Sequence, residues 1–254
     1  MREQRSYDYE QHGAPYSSTR RSDPRIALVI HRALGNDAHT VLNVGAGTGS
    51  YEPTNRIVTA VEPSATMRAQ RPAHLAQAIA ASAEALPFAD DSFDASMAVL
   101  TIHHWSDPQA GLREMRRVTC GPVVIVTFDT SELHNFWLTH YAPEFIEVDK
   151  LRFPTIDEVV STLGGKASVE PVAIPADCID GIQEAFFARP EAFLDANVRA
   201  SQSVWGCLAD GVEERIVEAL RRDLESGDWD KRYGHLRTQS SFESALRVIA
   251  ARPH

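Results

Sequence analysis

Hydrophobic positions in the first part of the chain form short buried runs that alternate with longer amphipathic segments. The short runs are rich in β-branched residues and predict strands, whereas the longer segments have apolar residues at helical spacing. The predicted strands are 40–44, 56–61, 93–100 and 122–128, and the predicted helices are 24–34 and 108–118. Both helices begin with an aspartate cap followed by proline, Asp23–Pro24 and Asp107–Pro108. Strands alternating with helices are typical of a parallel α/β sheet.

The pattern changes after residue 128. Thr155 and Glu158 have the spacing of a capping box, which predicts a helix that ends at Gly164–Gly165. Two further strands are predicted at 167–174 and 242–250. The segment 176–240 between them is largely helical in pattern and too long for a simple connection. We therefore expect a helical cap over the carboxyl edge of the sheet, where open α/β sheets bind their ligands.

Composition and charge narrow the class of protein. The longest stretch without a charged residue, 38–51, has 14 residues, fewer than the ~20 apolar residues of a membrane span. The first residues lack the apolar core of a secretory signal, and three distant cysteines predict no disulfide framework or metal cluster. A cytoplasmic location without membrane contact is therefore expected. The formal net charge of −10 disfavours nucleic acid as a partner.

A glycine-rich segment, VLNVGAGTGSY (41–51), follows the first predicted strand directly. Gly45, Gly47 and Gly49 lack a Cβ, so the backbone there can approach a ligand closely. Glu62 ends the next predicted strand, where its carboxylate can accept hydrogen bonds from both hydroxyls of a ribose. A tight turn and an unrelated surface glutamate are the alternative interpretation. The combination favours a ligand that contains a nucleoside.

Five segments occur in a fixed order across about half of the chain, residues 25–130. They are VLNVGAGTG (41–49), VTAVEPSATM (58–67), ASAEALPFADDSFD (81–94), MAVLTIHHWSDP (97–108) and LREMRRVTCGPVVIVTF (112–128). Together they resemble the class I S-adenosylmethionine-dependent methyltransferases, in particular the small-molecule branch that includes ubiquinone- and menaquinone-type enzymes. The combination is specific, although each segment alone would be a weak signal.

Pattern and resemblance together predict an α/β fold in a single structural domain. We expect a Rossmann-like, mostly parallel seven-stranded sheet with helices on both faces and a helical cap inserted before the last strand. The predicted parts are an N-terminal lid segment (1–22), a cofactor-binding core (23–175 with 241–254) and the cap (176–240). The cap could also supply the contact of a homodimer.

The resemblance implies S-adenosylmethionine as cofactor and assigns its contacts by position. These are Gly45, Ala46 and Gly47 for the methionine part, Glu62 for the ribose, Pro63, Met67, Ser82 and Ala83 for the adenine, and Leu100 and Thr101 for the sulfonium. Arg20, on the N-terminal lid, would pair with the cofactor carboxylate, with a solvated surface cluster as the alternative. No resident metal is expected.

Three features depart from the family pattern. Asn43 replaces the usual acidic residue of the first segment, which removes a charge that would favour the cofactor's ammonium group. Ser82 replaces an aspartate beside the adenine amino group. Only Ser50–Asn55 separate the glycine turn from the second strand, so the first helix must shrink to about one turn. That side of the sheet is expected to be poorly covered.

Methyl transfer from a sulfonium depends mostly on in-line positioning, and a base is needed only where the acceptor must lose a proton. The predicted catalytic residues are His104 and His103, after the fourth strand of the motif order, with a packing role as the alternative.

The predicted contacts of the small-molecule methyl acceptor are His12, Tyr16, Trp137 and Tyr141. A core-facing stripe is the alternative for Trp137 and Tyr141. Aromatic side chains there would suit a flat, apolar acceptor.

Other functions remain open at this point. An NAD-type oxidoreductase is disfavoured because the spacing GxGxG differs from the GxGxxG of dinucleotide folds. A base-amino methyltransferase is disfavoured by TIHHW (101–105), which stands where such enzymes carry an Asn/Asp-Pro-Pro-aromatic motif. A non-catalytic relative that binds a ligand or a partner stays possible, since Asn43 and Ser82 depart from the pattern.

Overall fold

A computed structural model describes residues 20–253. Four parallel strands from the first half of the chain form one side of the central sheet. They are β1 (Thr40–Val44), β2 (Ile57–Val61), β3 (Ala95–Val99) and β4 (Val123–Phe128). Their order across the sheet is β2–β1–β3–β4. Val123–Thr127 of β4 are buried, as expected for a parallel strand that is covered on both faces.

Four further strands lie in the second half of the chain. They are β5 (Lys166–Pro171), β6 (Ile174–Pro175), β7 (Ser241–Phe242) and β8 (Leu246–Arg252). β8 lies antiparallel between β4 and β5, whereas β6 and β7 pair separately as a short ladder. The predicted strands 167–174 and 242–250 are therefore each divided, because each passes from the main sheet into this ladder.

Helices cover both faces of the sheet. They are α1 (Pro24–Ala33), α2 (Ala65–Ala69), α3 (Pro108–Arg117), α4 (Leu138–Tyr141), α5 (Glu144–Arg152), α6 (Ile156–Leu163), α7 (Ala196–Ala200), α8 (Val212–Ser226) and α9 (Asp228–Tyr233). Short 3₁₀ helices lie at Ile102–His104, Leu133–Asn135, Gln183–Phe186, Pro190–Leu194, Trp205–Cys207 and Gly234–Thr238. α1 packs on one face of the sheet, while α3 and α6 pack on the other. The predicted cap residues Asp23, Asp107 and Thr155 accept the expected backbone hydrogen bonds.

The mostly parallel α/β fold is confirmed, but the predicted strand count of seven is wrong. The main sheet has six strands within residues 20–253. Beyond β2 the chain forms a single parallel bridge between Val61 and Ile79. A strand at this edge is reduced to one paired residue, because the backbone around Ile79 stays beside β2 for only two hydrogen bonds, Ile79 N to Ala60 O at 2.8 Å and Glu62 N to Ile79 O at 3.0 Å.

A helical layer lies over the carboxyl edge of the sheet and has its own hydrophobic cluster. It combines buried aromatic side chains from 176–240, such as Phe193 and Trp229, with Phe136, Trp137 and Phe145. The cap core thus also includes the segment that follows β4, which lies within the predicted cofactor-binding core of residues 23–175. Within residues 20–253 no helix is long and apolar enough to cross a membrane.

Candidate functional site

The glycine turn after β1 forms the floor of a cavity at the carboxyl edge of the sheet. Gly45 has a left-handed backbone (φ +67°), and a Cβ there would come within 2.2 Å of the Thr101 hydroxyl. Ala46 N donates to Val61 O at 2.9 Å, which ties the turn to β2. Glycine is required at position 45 because the side chain of Thr101, after β3, occupies the space of a Cβ.

Glu62 connects this turn to the end of β2. Its Oε2 accepts a hydrogen bond from Gly47 N at 2.8 Å, and its Oε1 accepts one from Ser64 N at 2.9 Å. Burial raises the pKa of Glu62, while these two backbone donors lower it. A carboxylate has about four acceptor sites, so two remain for a ligand diol.

The cofactor cavity, as we name this space of about 320 Å³, contains ten of the eleven predicted cofactor contacts. They are Gly45, Ala46, Gly47, Glu62, Pro63, Met67, Ser82, Ala83, Leu100 and Thr101. Among the lining residues that the sequence did not predict are Glu84, Trp105 and Ser106. Glu84 Oε1 accepts hydrogen bonds from Ser106 N at 2.8 Å and Asp107 N at 3.1 Å, which anchors the cavity wall to the cap of α3.

The crossover between β1 and β2 contains turns and no helix, all of its residues 45–56 being described, so the expected helix of one turn is absent. A buried polar network takes its place. Asn43 Nδ2 donates to Glu52 Oε1 at 2.9 Å, and the Arg71 guanidinium pairs with the Glu52 carboxylate at 2.9 Å. Arg71 also donates to Gly47 O at 3.3 Å. Arg71, which follows α2, therefore holds the glycine turn in place.

Arg20 lies outside the cofactor cavity. Its Nε donates to Asp180 Oδ1 at 2.6 Å, and the Tyr51 hydroxyl donates to Asp180 Oδ2 at 2.6 Å. The Arg20 side chain is 10% exposed and that of Asp180 is 1% exposed. In the structure Arg20 pairs with a buried carboxylate of the cap, and its contact with the cofactor carboxylate stays a prediction.

A second cavity, which we call the acceptor cavity, lies between the sheet edge and the cap. Four phenylalanines contribute to its walls, Phe128, Phe136, Phe145 and Phe153. Leu100 lines both cavities and joins them. Its backbone is left-handed (φ +51°), a conformation that costs a non-glycine residue about 1–3 kcal/mol and is often found at functional sites.

The two predicted catalytic histidines divide between the cavities. His103 lines the acceptor cavity and His104 lines the cofactor cavity, with their ring centroids 3.9 Å apart. The ring of His103 stacks on Phe153 at 4.1 Å, and its Nδ1 has no hydrogen-bond partner among the described residues. Burial lowers the pKa of His103 far below its ordinary value and that of His104 to about 3. Both rings are neutral, so each can accept a hydrogen bond but holds a proton weakly.

Trp137 and Tyr141, two of the four predicted acceptor contacts, are not among the residues that line this cavity. Trp137 is 3% exposed and its Nε1 donates to Phe187 O at 2.9 Å. Tyr141 is 5% exposed and its hydroxyl donates to Asp223 Oδ2 at 2.9 Å. Both rings pack inside the cap core, which agrees with the alternative of a core-facing stripe, and their contact with the acceptor stays a prediction. His12 and Tyr16 lie outside the described residues.

Comparisons with known proteins agree with this geometry. Residues 42–125 match the family described as "Methyltransferase domain". A solved structure, a putative methyltransferase from an antibiotic biosynthesis pathway of Anabaena variabilis, is 33% identical with a TM-score of 0.84. The match covers 92% of this chain and 98% of that chain. The chain belongs to the class I S-adenosylmethionine-dependent methyltransferases.

Two more distant relatives show how far the likeness extends. An uncharacterised methyltransferase of Bacillus subtilis is 26% identical over 67% of this chain, and the match spans 64% of that protein. A structure from Thermotoga maritima, a possible histamine N-methyltransferase, is 16% identical with a TM-score of 0.58 and covers 97% of this chain and 98% of that chain. At this identity the likeness shows the fold alone.

The cofactor cavity of this methyltransferase fits S-adenosylmethionine. Gly47 has a left-handed backbone (φ +50°), which favours glycine there, and a Cβ at this position would be in ordinary van der Waals contact with Met67 Cε at 3.4 Å. Glu62 retains acceptor capacity for a ribose diol. Two lining residues depart from the family pattern: Asn43, whose amide donates to Glu52, and Ser82, each in place of an acidic residue.

Proposed function

We propose that this protein transfers a methyl group from S-adenosylmethionine to an O, N or C nucleophile of a small, apolar or aromatic metabolite. The observation that carries the proposal is that Leu100 joins two cavities, one with the family's cofactor residues and one with aromatic walls. The bound cofactor supplies an electrophilic methyl group, so the protein has chiefly to align the acceptor with it.

The residues divide this work. Glu62 and the glycine turn bind and orient the nucleoside, while Leu100 and Thr101 lie where the two cavities meet. Phe153 and the other phenylalanines exclude water from the acceptor. His103, neutral and with an unpartnered Nδ1, accepts a hydrogen bond from the acceptor, and His104 contacts the cofactor side.

Calorimetric titration tests the proposal. We expect S-adenosylmethionine and S-adenosylhomocysteine to bind with micromolar affinity and NAD not to bind. Glu62→Ala should abolish binding, whereas Glu147→Ala, on a side chain that is 79% exposed, is the matched control. Formation of S-adenosylhomocysteine with a panel of small aromatic acceptors then reports transfer. Absence of binding to both sulfur nucleosides would overturn the proposal.

A second candidate function is a non-catalytic relative that binds the cofactor as a ligand. Asn43 favours it, because the amide replaces the charge that assists cofactor binding and is itself held by Glu52. Tight binding of S-adenosylhomocysteine without transfer to any acceptor would support this second function.

A further inference from the structure

A buried carboxyl group in the wall of the acceptor cavity has no role in the site described so far. Glu184 lies on the 3₁₀ helix Gln183–Phe186 and is 3% exposed. Its Oε1 accepts a hydrogen bond from Ala245 N at 3.1 Å. Its Oε2 has no hydrogen-bond partner within the described part of the chain. The Ser244 hydroxyl donates to Glu132 O at 3.5 Å and also lies near enough to the Glu184 carboxyl to lower its pKa.

Backbone contacts hold this carboxyl beside the reacting end of the sheet. Asp129 N, directly after β4, donates to Ala245 O at 2.8 Å, so the residue that binds Glu184 is fixed to the carboxyl end of β4. On the neighbouring strand, Leu100 N donates to Val126 O at 2.8 Å. Glu184 is therefore tied to the strand next to the one that carries Leu100, the junction of the two cavities.

The charges around the acceptor cavity are balanced without a ligand. Its two lining guanidiniums each have a carboxylate partner: Arg152 pairs with Asp149 at 3.1 Å, and Arg20 pairs with Asp180. Behind Glu184, Arg247 lies 3.7 Å from Asp129. An anionic ligand would thus find no unpaired cation on the described walls. The buried polar atoms of this cavity that lack a partner are Glu184 Oε2 and His103 Nδ1.

We propose that the methyl acceptor is an uncharged molecule with a phenol-type hydroxyl, and that Glu184 takes up the hydroxyl proton. This rests on the proposed function. The O–H bond breaks and its proton passes to Glu184 Oε2, the oxygen forms a bond to the methyl carbon, and the carbon–sulfur bond breaks with its electron pair left on sulfur. A neutral ether, S-adenosylhomocysteine and a protonated Glu184 result.

The protonation behaviour of the site is consistent with this role. Burial raises the pKa of Glu184 to about 7, and the backbone donors of Ala245 and Leu246, the Ser244 hydroxyl and Arg247 limit the rise. A base is most effective when its pKa lies near the working pH. Burial raises the pKa of Asp149 to about 6, but that carboxylate is paired with Arg152. His103 stays neutral and can orient the hydroxyl without holding its proton.

Binding of a phenol probe to the protein loaded with S-adenosylhomocysteine tests the inference. We expect 4-methylphenol to bind about tenfold more tightly above neutral pH than at mildly acidic pH, and 4-methylanisole, which lacks the hydroxyl, to show no pH dependence. Glu184→Gln keeps the shape and the bond to Ala245 N and should remove the pH dependence. Glu147→Gln, on an exposed side chain, is the matched control.

A second measurement uses the wild-type protein only. With isotope-labelled glutamate, infrared difference spectra should show a buried carboxylic acid that loses its proton near neutral pH and changes when 4-methylphenol is added. No response to 4-methylphenol, or equal probe binding by Glu184→Gln with an unchanged pH profile, would overturn the role of Glu184. Failure of the wild-type protein to bind S-adenosylhomocysteine would instead overturn the proposed function.

Discussion

The Tyr51 hydroxyl donates a hydrogen bond of 2.6 Å to the Asp180 carboxylate, although 129 positions separate the two residues. Tyr51 follows the glycine turn and has a left-handed backbone (φ +65°), whereas Asp180 belongs to the cap. Arg20 pairs with the same carboxylate. This buried cluster therefore fixes the cap to the loop that forms the cofactor cavity.

Tyr51→Phe should lower the free energy of unfolding by about 1.5–3 kcal/mol, since the hydrogen bond it removes is made to a charged, buried group. Urea denaturation measures the difference. Tyr233→Phe is the matched control, because no hydrogen bond ties that hydroxyl to the described residues. Equal stability of the two variants would show that the Asp180 cluster does not secure the cap.

Arg71→Met should destabilise the protein by about 3–5 kcal/mol and weaken binding of S-adenosylhomocysteine. The reason is that the Glu52 side chain is 2% exposed and would be left with an uncompensated charge below the glycine turn. Combining Arg71→Met with Glu52→Gln should restore part of the loss. Thermal denaturation measures the loss of stability, and calorimetric titration measures the binding of S-adenosylhomocysteine. Lys231→Met is the control: it removes an exposed ion pair and should cost at most about 1 kcal/mol.

Trp137→Ala should reduce the free energy of unfolding by about 3–5 kcal/mol, because it opens a void in the cap core and removes the bond to Phe187 O. The dissociation constant of S-adenosylhomocysteine should not change. Leu151→Ala, on a side chain that is 75% exposed, should have little effect on stability. A raised KM for the acceptor with unchanged stability would show that Trp137 contacts the acceptor.

The stability difference between the wild type and Glu184→Gln should depend on pH. Burial raises the pKa of Glu184 from 4.5 to about 7, so the folded protein binds this proton more tightly than the unfolded chain. Its contribution to stability is complete below about pH 4.5 and is lost as the pH rises through about 7. Glu184→Gln should therefore gain up to about 3 kcal/mol relative to the wild type between about pH 5 and about pH 8.

Urea denaturation at both pH values gives this difference. Burial lowers the pKa values of His103 and His104, so their contribution to the stability of the protein is lost as the pH falls. This loss is the same in the wild type and in Glu184→Gln, and it cancels when the two are compared. A difference that stays constant with pH would mean that the Glu184 carboxyl titrates normally.

Local signals explain which parts of the fold could be predicted from sequence. β1 occupies the predicted residues 40–44, and the helix that begins after Thr155 has the predicted capping box, because β-branched runs and caps act over a few residues. The sequence analysis assigned no residues to the seventh strand of the expected sheet. Whether the backbone near Ile79 pairs for one residue or five depends on its neighbour in space.

The same distinction applies to the site. The glycine turn and Glu62 carry short motifs, so the cofactor cavity could be predicted by position. Glu184 has no such motif: its environment is created by Ala245, 61 positions away. Trp137, in contrast, belongs to a pattern that has two interpretations, because aromatic residues at helical spacing occur in binding pockets and in hydrophobic cores. The packing of the cap, which the sequence does not show, distinguishes the two.

The position of β8 has a consequence for synthesis of the chain. β8 lies between β4 and β5, yet it is translated after β5 and after the whole cap. During translation, one edge of β4 and the whole of β5 stay unpaired until β8 has been synthesised. The parallel strands β1–β4, which hold the glycine turn, can pair before that. Nascent chains halted before β8 would therefore be expected to protect β1–β4 from protease while leaving β5, which pairs only with β8, open to cleavage.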